Sequence, residues 1–215
     1  MTKSPISLKE VPLPANMHTV PARRIIRHPN EWSDYVPVLC SGWALCSVTL
    51  IDGGRQILSF LLPGDLFSIS DIFESSLSYA VEAITDITYR RYSRSDFRTL
   101  LLSNPEVFET ITKAWAEEKS RADQLAIDLG RRTADQRIAR LILNLLNRMT
   151  KRGLAEKQTM EFPLRQHHIA DATGLTPVHV NKVLSEFRRS GLIEINNRYL
   201  TILEREEFSR LANMR

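Results

Sequence analysis

The chain has 215 residues, enough for two small domains that each bury a hydrophobic core. No apolar run reaches the length of about 18 residues that a membrane span needs. The start of the sequence lacks the apolar core of a signal peptide, so we expect a cytoplasmic protein without a membrane partner. The only cysteines, Cys40 and Cys46, provide neither a disulfide framework nor a cluster of metal ligands.

The net charge of +4 is unevenly distributed along the chain. From Arg131 onward there are 16 Lys and Arg against 9 Asp and Glu, whereas the preceding residues carry 13 against 16. This asymmetry favours a phosphate-binding module in the basic C-terminal part. A surface that is basic by chance would give the same count, so the interpretation depends on the motifs.

Residues 1–30 contain five prolines and are expected to be irregular. From about Trp32 to Phe97, short apolar runs alternate with turn signals. Strands are predicted at residues 36–40, 43–50, 56–62 and within 81–92, with turns at Gly42, 52–54 and 63–65. Many short strands with glycine turns predict a small barrel or a double-stranded roll.

A helical period of 3.6 residues follows. Ser103 or Asn104 is expected to cap a helix of about 25 residues that has Pro105 at its first position. Its stripe at steps of three and four residues consists of Phe108, Ile111, Trp115, Glu118, Ala122, Leu125 and Leu129, of which all but Glu118 are apolar. The stripe could pack on its own domain, but its length and the bulky Trp115 favour the interface of a homodimer.

A second amphipathic helix is predicted from Thr133 to about Arg152, and residues 164–195 have the pattern of a helix-turn-helix. Ala170 is small where two helices must cross, and Gly174 permits the tight turn between them. Thr176 can cap the second helix, and Pro177 fits its first position. An ordinary helical hairpin would tolerate the pattern without explaining the order of these four residues.

The second of these helices has an apolar face and a polar face. The residues expected to point inward are Leu175, Val180, Val183, Leu184 and Phe187. After it, two apolar runs at 192–195 and 199–203 bracket Asn196-Asn197, which predicts a hairpin wing. The C-terminal part is therefore predicted to be a winged helix.

A roll, a long helix and a winged helix in this order resemble the Crp/Fnr superfamily of bacterial transcription regulators. The resemblance rests on residues 56–65, which look like the strand and Gly-Asp turn of the cyclic-nucleotide-binding fold, and on residues 174–184. Residues 129–132 and 137–139 also resemble the family. The resemblance implies an α+β protein with three parts. They are a cyclic-nucleotide-binding-like sensory β-roll (double-stranded β-helix) at 1–103, a dimerisation helix at 104–131 and a winged helix-turn-helix at 132–215.

The function implied by the resemblance is that of a regulator that binds a two-fold symmetric DNA site as a homodimer. RNA polymerase would be a further partner if the protein activates transcription. An enzyme is not expected, because no nucleophile–base pair, phosphate loop or metal-ligand spacing is present. A regulatory subunit that only binds nucleotides would leave the winged helix unexplained.

Cyclic-AMP-binding members of the family place a Gly-Glu pair after the Gly-Asp turn and an Arg-Ser pair before a late strand. Here the first pair of positions holds Ser68 and Ile69, and the second holds Leu77 and Ser78. The guanidinium for the cyclic phosphate and the carboxylate for the ribose are therefore both missing. We expect no control by cyclic AMP.

Other sensory chemistries are weakly supported. Two cysteines are too few for an iron–sulfur cluster unless a dimer shares them. A haem would need an axial His or Cys, for which His18 and His28 are candidates. His167 and His168 are adjacent, so they cannot form a metal pair on one helical face. An unidentified small-molecule effector, or none, remains; the alternative is a cyclic-nucleotide- or haem-responsive regulator with an unrecognised pocket.

The resemblance places the DNA-reading side chains on the second helix of the helix-turn-helix. The full expected set is Arg165, Gln166, Thr176, Val178, His179, Asn181, Lys182, Ser185, Arg188 and Arg189. Lys182 stands where the family commonly has Arg, so it donates to bases as a rotatable point charge. Val178 suits a thymine methyl group, and Asn181 could pair with adenine N6 and N7.

Overall fold

The computed structural model describes residues 13–74 and 76–213, which divide into two compact units, one extending to Asp123 and one starting at Gln124. The first unit contains β1 (Ala15–Val20), β2 (Ile25–Arg27), β3 (Tyr35–Ser41), β4 (Ala44–Thr49), β5 (Arg55–Leu61), a 3-10 helix (Ile69–Ile72), β6 (Ala80–Ala83), β7 (Ile87–Ser93), α1 (Arg94–Ser103) and the start of α2 (Pro105–Arg131). The second contains the end of α2, α3 (Ala134–Lys151), β8 (Ala155–Glu156), β9 (Thr159–Glu161), α4 (Gln166–Thr173), α5 (Pro177–Arg189), β10 (Ile193–Asn196), β11 (Tyr199–Ile202) and α6 (Arg205–Asn213).

The first unit is a roll of two antiparallel sheets, with strand orders β1–β7–β3 and β2–β6–β4–β5. The strands predicted at 36–40, 43–50 and 56–62 are confirmed, with ends that differ by one residue. Gly42 has a φ of +79°, and a Cβ there would lie 2.2 Å from the carbonyl oxygen of Asp86, so only glycine fits this turn. At the Gly-Asp turn, the amide of Leu62 donates to Asp65 Oδ2 at 2.7 Å, and the amide of Leu39 donates to the Asp65 carbonyl.

The prediction of an irregular segment over residues 1–30 is wrong for β1 and β2. Pro14 and Pro21 flank β1 instead of interrupting it, and β1 lies at the edge of its sheet, where the lack of an amide on proline is tolerated. The prolines at 5 and 12 lie outside the described residues. No side chain of β1 is buried, and β2 has only three residues, so neither strand carries the apolar run that predicts β3, β4 and β5.

The helix predicted from Pro105 is confirmed, and Asn104 caps it. Asn104 Oδ1 accepts from the amides of Glu106 and Val107 at 3.0 and 3.2 Å. The preceding helix α1 was not predicted; it buries Phe97 and Leu101 in the roll. The boundary between the two units lies inside α2, so this helix contributes residues to both.

The second unit is built on α3, whose cap is a reciprocal pair of hydrogen bonds between Thr133 and Gln136. The apolar face of α3 is buried, and the rings of Phe187 on α5 and Phe208 on α6 meet edge to face at 5.3 Å. The strands β10–β11–β9–β8 form one antiparallel sheet. In the described ranges of the chain, no helix is long and apolar enough to cross a membrane.

Candidate nucleic-acid interface

The turn between α4 and α5 has the geometry that the sequence predicted. Gly174 ends α4 in the left-handed region with a φ of +64°, and its amide donates to the carbonyl of Ala170. Leu175 donates to the same carbonyl at 3.1 Å. Ala170 is almost fully buried, as expected for a residue where the two helices cross. The helix-turn-helix is therefore fixed by local hydrogen bonds at its tightest point.

The second helix begins at Pro177 and is capped by Thr176, whose hydroxyl accepts from the amide of His179 at 3.2 Å. The residues that face inward and are buried are Val180, Val183, Leu184 and Phe187; Leu175 is half-buried. The opposite face is exposed along its whole length. Two faces of such different polarity hold α5 against its own domain and leave the polar side available to a ligand.

All ten side chains expected to contact DNA are exposed; they are Arg165, Gln166, Thr176, Val178, His179, Asn181, Lys182, Ser185, Arg188 and Arg189. Val178 is 80% exposed, so its methyl groups are available for contact with a thymine methyl group. Towards the end of α5 the cations have intrahelical partners. Arg188 donates to Ser185 Oγ, and Arg189 pairs with Glu186, both at 3.1 Å.

Those intrahelical contacts are weak, because exposed ion pairs contribute about 0–1 kcal/mol. A phosphate can therefore compete for Arg189 at little cost. Lys182 lies one turn after the helix start, and its ammonium group forms no ion pair with the described residues. Lys182 and Arg189 thus lie about two helical turns apart on the same exposed face of α5.

Sequence reasoning missed two residues that position the helix-turn-helix. Arg137 on α3 donates from Nη1 to the carbonyl of Thr173 and from Nε to the carbonyl of Arg132, each at 3.0 Å. The buried His168 accepts from the amide of Arg165 through Nδ1 at 3.1 Å. Arg137 belongs to residues 137–139, which resemble the family, but no periodicity indicates that its side chain binds the C-terminal end of α4.

The wing is formed by β10 and β11, but its turn lies one residue further along than predicted. Asn197 and Arg198, with φ of +47° and +67°, form the loop, and Asn196 pairs with Tyr199. Asn196 and Asn197 both tolerate the left-handed region, so the sequence alone did not fix the register. The turn brings the Arg198 guanidinium to the tip of the wing, 3.9 Å from Glu161.

The stripe on α2 divides into buried and exposed members. Ile111 is buried in the core of its own roll, so its assignment to a dimer interface is wrong; the helical period shows which residues share a face and not which neighbour covers it. Leu129 lies against Gly174, where an added Cβ would come within 3.1 Å of its Cδ2. Phe108 and Trp115 remain 54% and 65% exposed, Ala122 is exposed, and Leu125 is half-buried.

At the positions where cyclic-AMP-binding relatives carry their anchors, the side chains are apolar and buried. Ile69 belongs to the core of the roll, and Leu77 is buried as well. Ser68 uses its hydroxyl to cap the 3-10 helix by accepting from the amide of Ser70 at 3.1 Å. Nothing in this arrangement supplies a charge to a cyclic phosphate or a carboxylate to a ribose.

The same 3-10 helix contains a buried acid that sequence reasoning missed. Asp71 is fully buried and forms an ion pair with Arg27 of β2, itself almost fully buried. Burial raises the pKa of Asp71 to about 6, although the Arg27 guanidinium opposes the shift. The partners are 44 residues apart, so no local pattern could reveal them.

Among the described cysteines and histidines, only the adjacent His167 and His168 have their rings in contact, with centroids 4.0 Å apart. Burial raises the pKa of the Cys46 thiol to about 12, whereas Cys40 is half-buried. His18 stacks on Tyr89 with ring centroids 5.5 Å apart. Over residues 13–74 and 76–213, no group of three or more His, Cys, Asp or Glu side chains is placed to hold a metal ion.

Residues 17–104 match the cyclic nucleotide-binding domain family, and residues 136–211 match the Crp-like helix-turn-helix domain family. Transcriptional activator protein FnrL of Cereibacter sphaeroides is 29% identical over 83% of this chain and 71% of its own length. Nitrogen fixation regulation protein FixK of Bradyrhizobium diazoefficiens is 28% identical over 76% of this chain and 68% of its own length.

Solved structures give the same picture. FixK2 from Bradyrhizobium japonicum superposes with a TM-score of 0.83 at 28% identity, covering 94% of this chain and 100% of that one. TTHB099, a CRP-family transcriptional regulator from Thermus thermophilus, has the same fold, with a TM-score of 0.71 at 24% identity over 91% of this chain and 96% of that one.

A β-roll joined to a winged helix-turn-helix with an exposed polar recognition face defines a DNA-binding transcription regulator. The chain belongs to the Crp/Fnr superfamily of such regulators, as the resemblance predicted. The family is one of transcription regulators and not of enzymes, and DNA is its macromolecular partner.

Proposed function

We propose that this regulator reads a two-fold symmetric DNA site with the exposed face of α5. The observation that carries the proposal is the sharp division of that helix, with four buried apolar residues on one side and Val178, His179, Asn181 and Lys182 exposed near its start on the other. Family geometry inserts the start of this helix in the major groove, where base edges carry sequence information.

The two ends of α5 are assigned different roles. Lys182, near the helix start, donates to base edges, and Arg189, two turns later, meets the phosphate backbone together with Arg188 and Ser185. Arg165 and Thr176, at the starts of α4 and α5, also lie where backbone contacts are made. Base contacts give specificity, whereas phosphate contacts strengthen binding to every sequence about equally.

The protein acts as a homodimer through the exposed stripe of α2. Phe108, Trp115 and Ala122 follow one another at steps of seven residues on its exposed side, with Leu125 beside them. A symmetric site read in two half-sites requires two copies of α5 related by a two-fold axis. The relatives FnrL and FixK are named as an activator and a regulator, so we assign activation, with RNA polymerase as the further partner.

We propose no control by cyclic AMP, because the buried Ile69 and Leu77 replace both residues that would anchor this ligand.

The test of the proposed function is selection of bound duplexes from a randomised pool by the full chain, followed by titration of the selected site. An inverted repeat with half-site centres about one helical turn, or 10–10.5 base pairs, apart supports it. Retention of duplexes without any shared sequence contradicts it.

A further inference from the structure

One contact links the two helices of the DNA-reading motif at their exposed ends. Gln166, the first residue of α4, donates from Nε2 to Oδ1 of Asn181 on α5 at 3.0 Å. Both side chains are exposed, and the residues are 15 positions apart. The bond therefore orients a proposed base-reading amide before DNA is present.

The oxygen and the NH2 group of an asparagine side chain lie in one plane, on opposite sides of the Cβ–Cγ bond, so the amide has an acceptor edge and a donor edge. Because Oδ1 of Asn181 is turned towards Gln166, its Nδ2 group is turned away from α4. In residues 13–74 and 76–213 the structure gives this Nδ2 group no hydrogen-bond partner. Asn181 thus offers a donor to whatever approaches the exposed face of α5.

We propose that Gln166 is a specificity-determining residue that converts Asn181 from an adenine reader into a donor-only reader. The proposal rests on the proposed function and specifies the base class of that same site. The two-bond pairing with adenine needs both edges of the asparagine amide, one for N6 and one for N7. Oδ1 keeps a second lone pair, but the bond from Gln166 turns it towards α4, so Asn181 presents its donor edge to the DNA and selects a base that presents acceptors.

Guanine is the best partner for such a donor, because O6 and N7 are adjacent acceptors in the major groove. Cytosine is the worst, because it presents the N4 amino group, and two donors then face each other. Adenine and thymine each offer one acceptor and are intermediate. The expected order at the base that Asn181 contacts is therefore guanine first and cytosine last, with a difference of about tenfold in affinity.

The test compares the full chain with three variants on the selected site, with all four base pairs at each position of the half-site. Asn181→Ala identifies the position by flattening its base preference. Gln166→Ala releases Oδ1 and should move the preference at that position to adenine. Gln166→Glu presents a side chain that only accepts, so it turns Nδ2 inward and Oδ1 outward and should move cytosine above guanine.

A charge control is needed because Gln166→Glu also adds a negative charge near DNA. His167→Glu places the same charge one residue later on α4, about 100° further round the helix, and should weaken binding to all four base pairs without reordering them. A Gln166→Glu profile that matches this control overturns the inference. So does an unchanged profile in Gln166→Ala, or a parent chain that ranks cytosine above guanine, which would show the opposite orientation of the amide pair.

These failures differ from failure of the proposed function. If Asn181→Ala flattens a position but the Gln166 variants leave that position unchanged, the orienting role is wrong and DNA reading by α5 stands. If the chain selects no sequence, or if Asn181→Ala changes the base preference at no position, Asn181 does not read a base and the inference is wrong as well.

Discussion

Replacing Trp115 by alanine should weaken the dimer strongly. Trp115 is 65% exposed on α2, which leaves roughly 150 Å² of its surface to be covered by a partner copy. At about 25 cal/mol per Å², this burial contributes up to about 4 kcal/mol in each chain. Removing a buried aromatic side chain costs about 3–5 kcal/mol in protein cores. Even a loss of about 3 kcal/mol over the two chains together raises the dimer dissociation constant about 100-fold, so we expect Trp115→Ala to raise it by at least that factor.

The chain offers a matched control for this experiment. Trp32 is 68% exposed, nearly the same as Trp115, but it lies outside α2. Sedimentation equilibrium of Trp115→Ala, Trp32→Ala and the parent chain over a range of concentrations gives the three dissociation constants. Trp32→Ala should match the parent chain. If Trp115→Ala does too, the exposed stripe of α2 is not the dimer interface.

Three further outcomes are expected for the β-roll. At pH 8, Arg27→Met should destabilise the roll by about 3–5 kcal/mol, because it leaves the buried charge of Asp71 without its Arg27 partner. The double variant Arg27→Met, Asp71→Leu should recover most of this loss. A double variant as unstable as the single one would contradict this role of the pair. The pKa of Asp71 rises from its ordinary 3.8 to about 6 on folding, so the contribution of Asp71 to the free energy of unfolding should fall as the pH rises from about 4 to 6. Asp71→Asn should remove this part of the pH dependence, as measured by urea unfolding with tryptophan fluorescence. An identical pH dependence in Asp71→Asn would show that another group titrates. Calorimetry with cyclic AMP should show no saturable binding below about millimolar, because Ile69 and Leu77 replace the anchors, and a micromolar dissociation constant would refute this expectation.

The helix-turn-helix could be predicted from the sequence because its signals are local. Gly174 is needed for a left-handed turn, Thr176 for a cap and Pro177 for a first helical position, and each acts within a few residues of its own place. The same holds for β3, β4 and β5, whose buried apolar runs are separated by turns at Gly42 and Gly53. The exposed strand β1 and the three-residue strand β2 do not carry that signal.

The sequence alone could not predict contacts between residues that are far apart in the chain and that the fold brings together. The period of α2 placed Ile111 and Trp115 on one stripe, but only the fold shows that the first is buried against its own roll and the second is exposed. The Arg27–Asp71 pair and the Gln166–Asn181 bond join residues 44 and 15 positions apart. Polar contacts of this kind have no periodicity, so the composition of each helix or strand says nothing of them.

The central claim is that the exposed face of α5 reads bases near its start and phosphates near its end, and a salt titration of two variants tests it most directly. Lys182→Ala and Arg189→Ala are compared with the parent chain on the selected duplex and on a scrambled duplex. Lys182→Ala should cost roughly 1–3 kcal/mol on the selected duplex and much less on the scrambled one. Arg189→Ala should weaken both and lower the slope of log affinity against log salt by about 0.9 per subunit. Equal weakening of both duplexes by Lys182→Ala would contradict the claim.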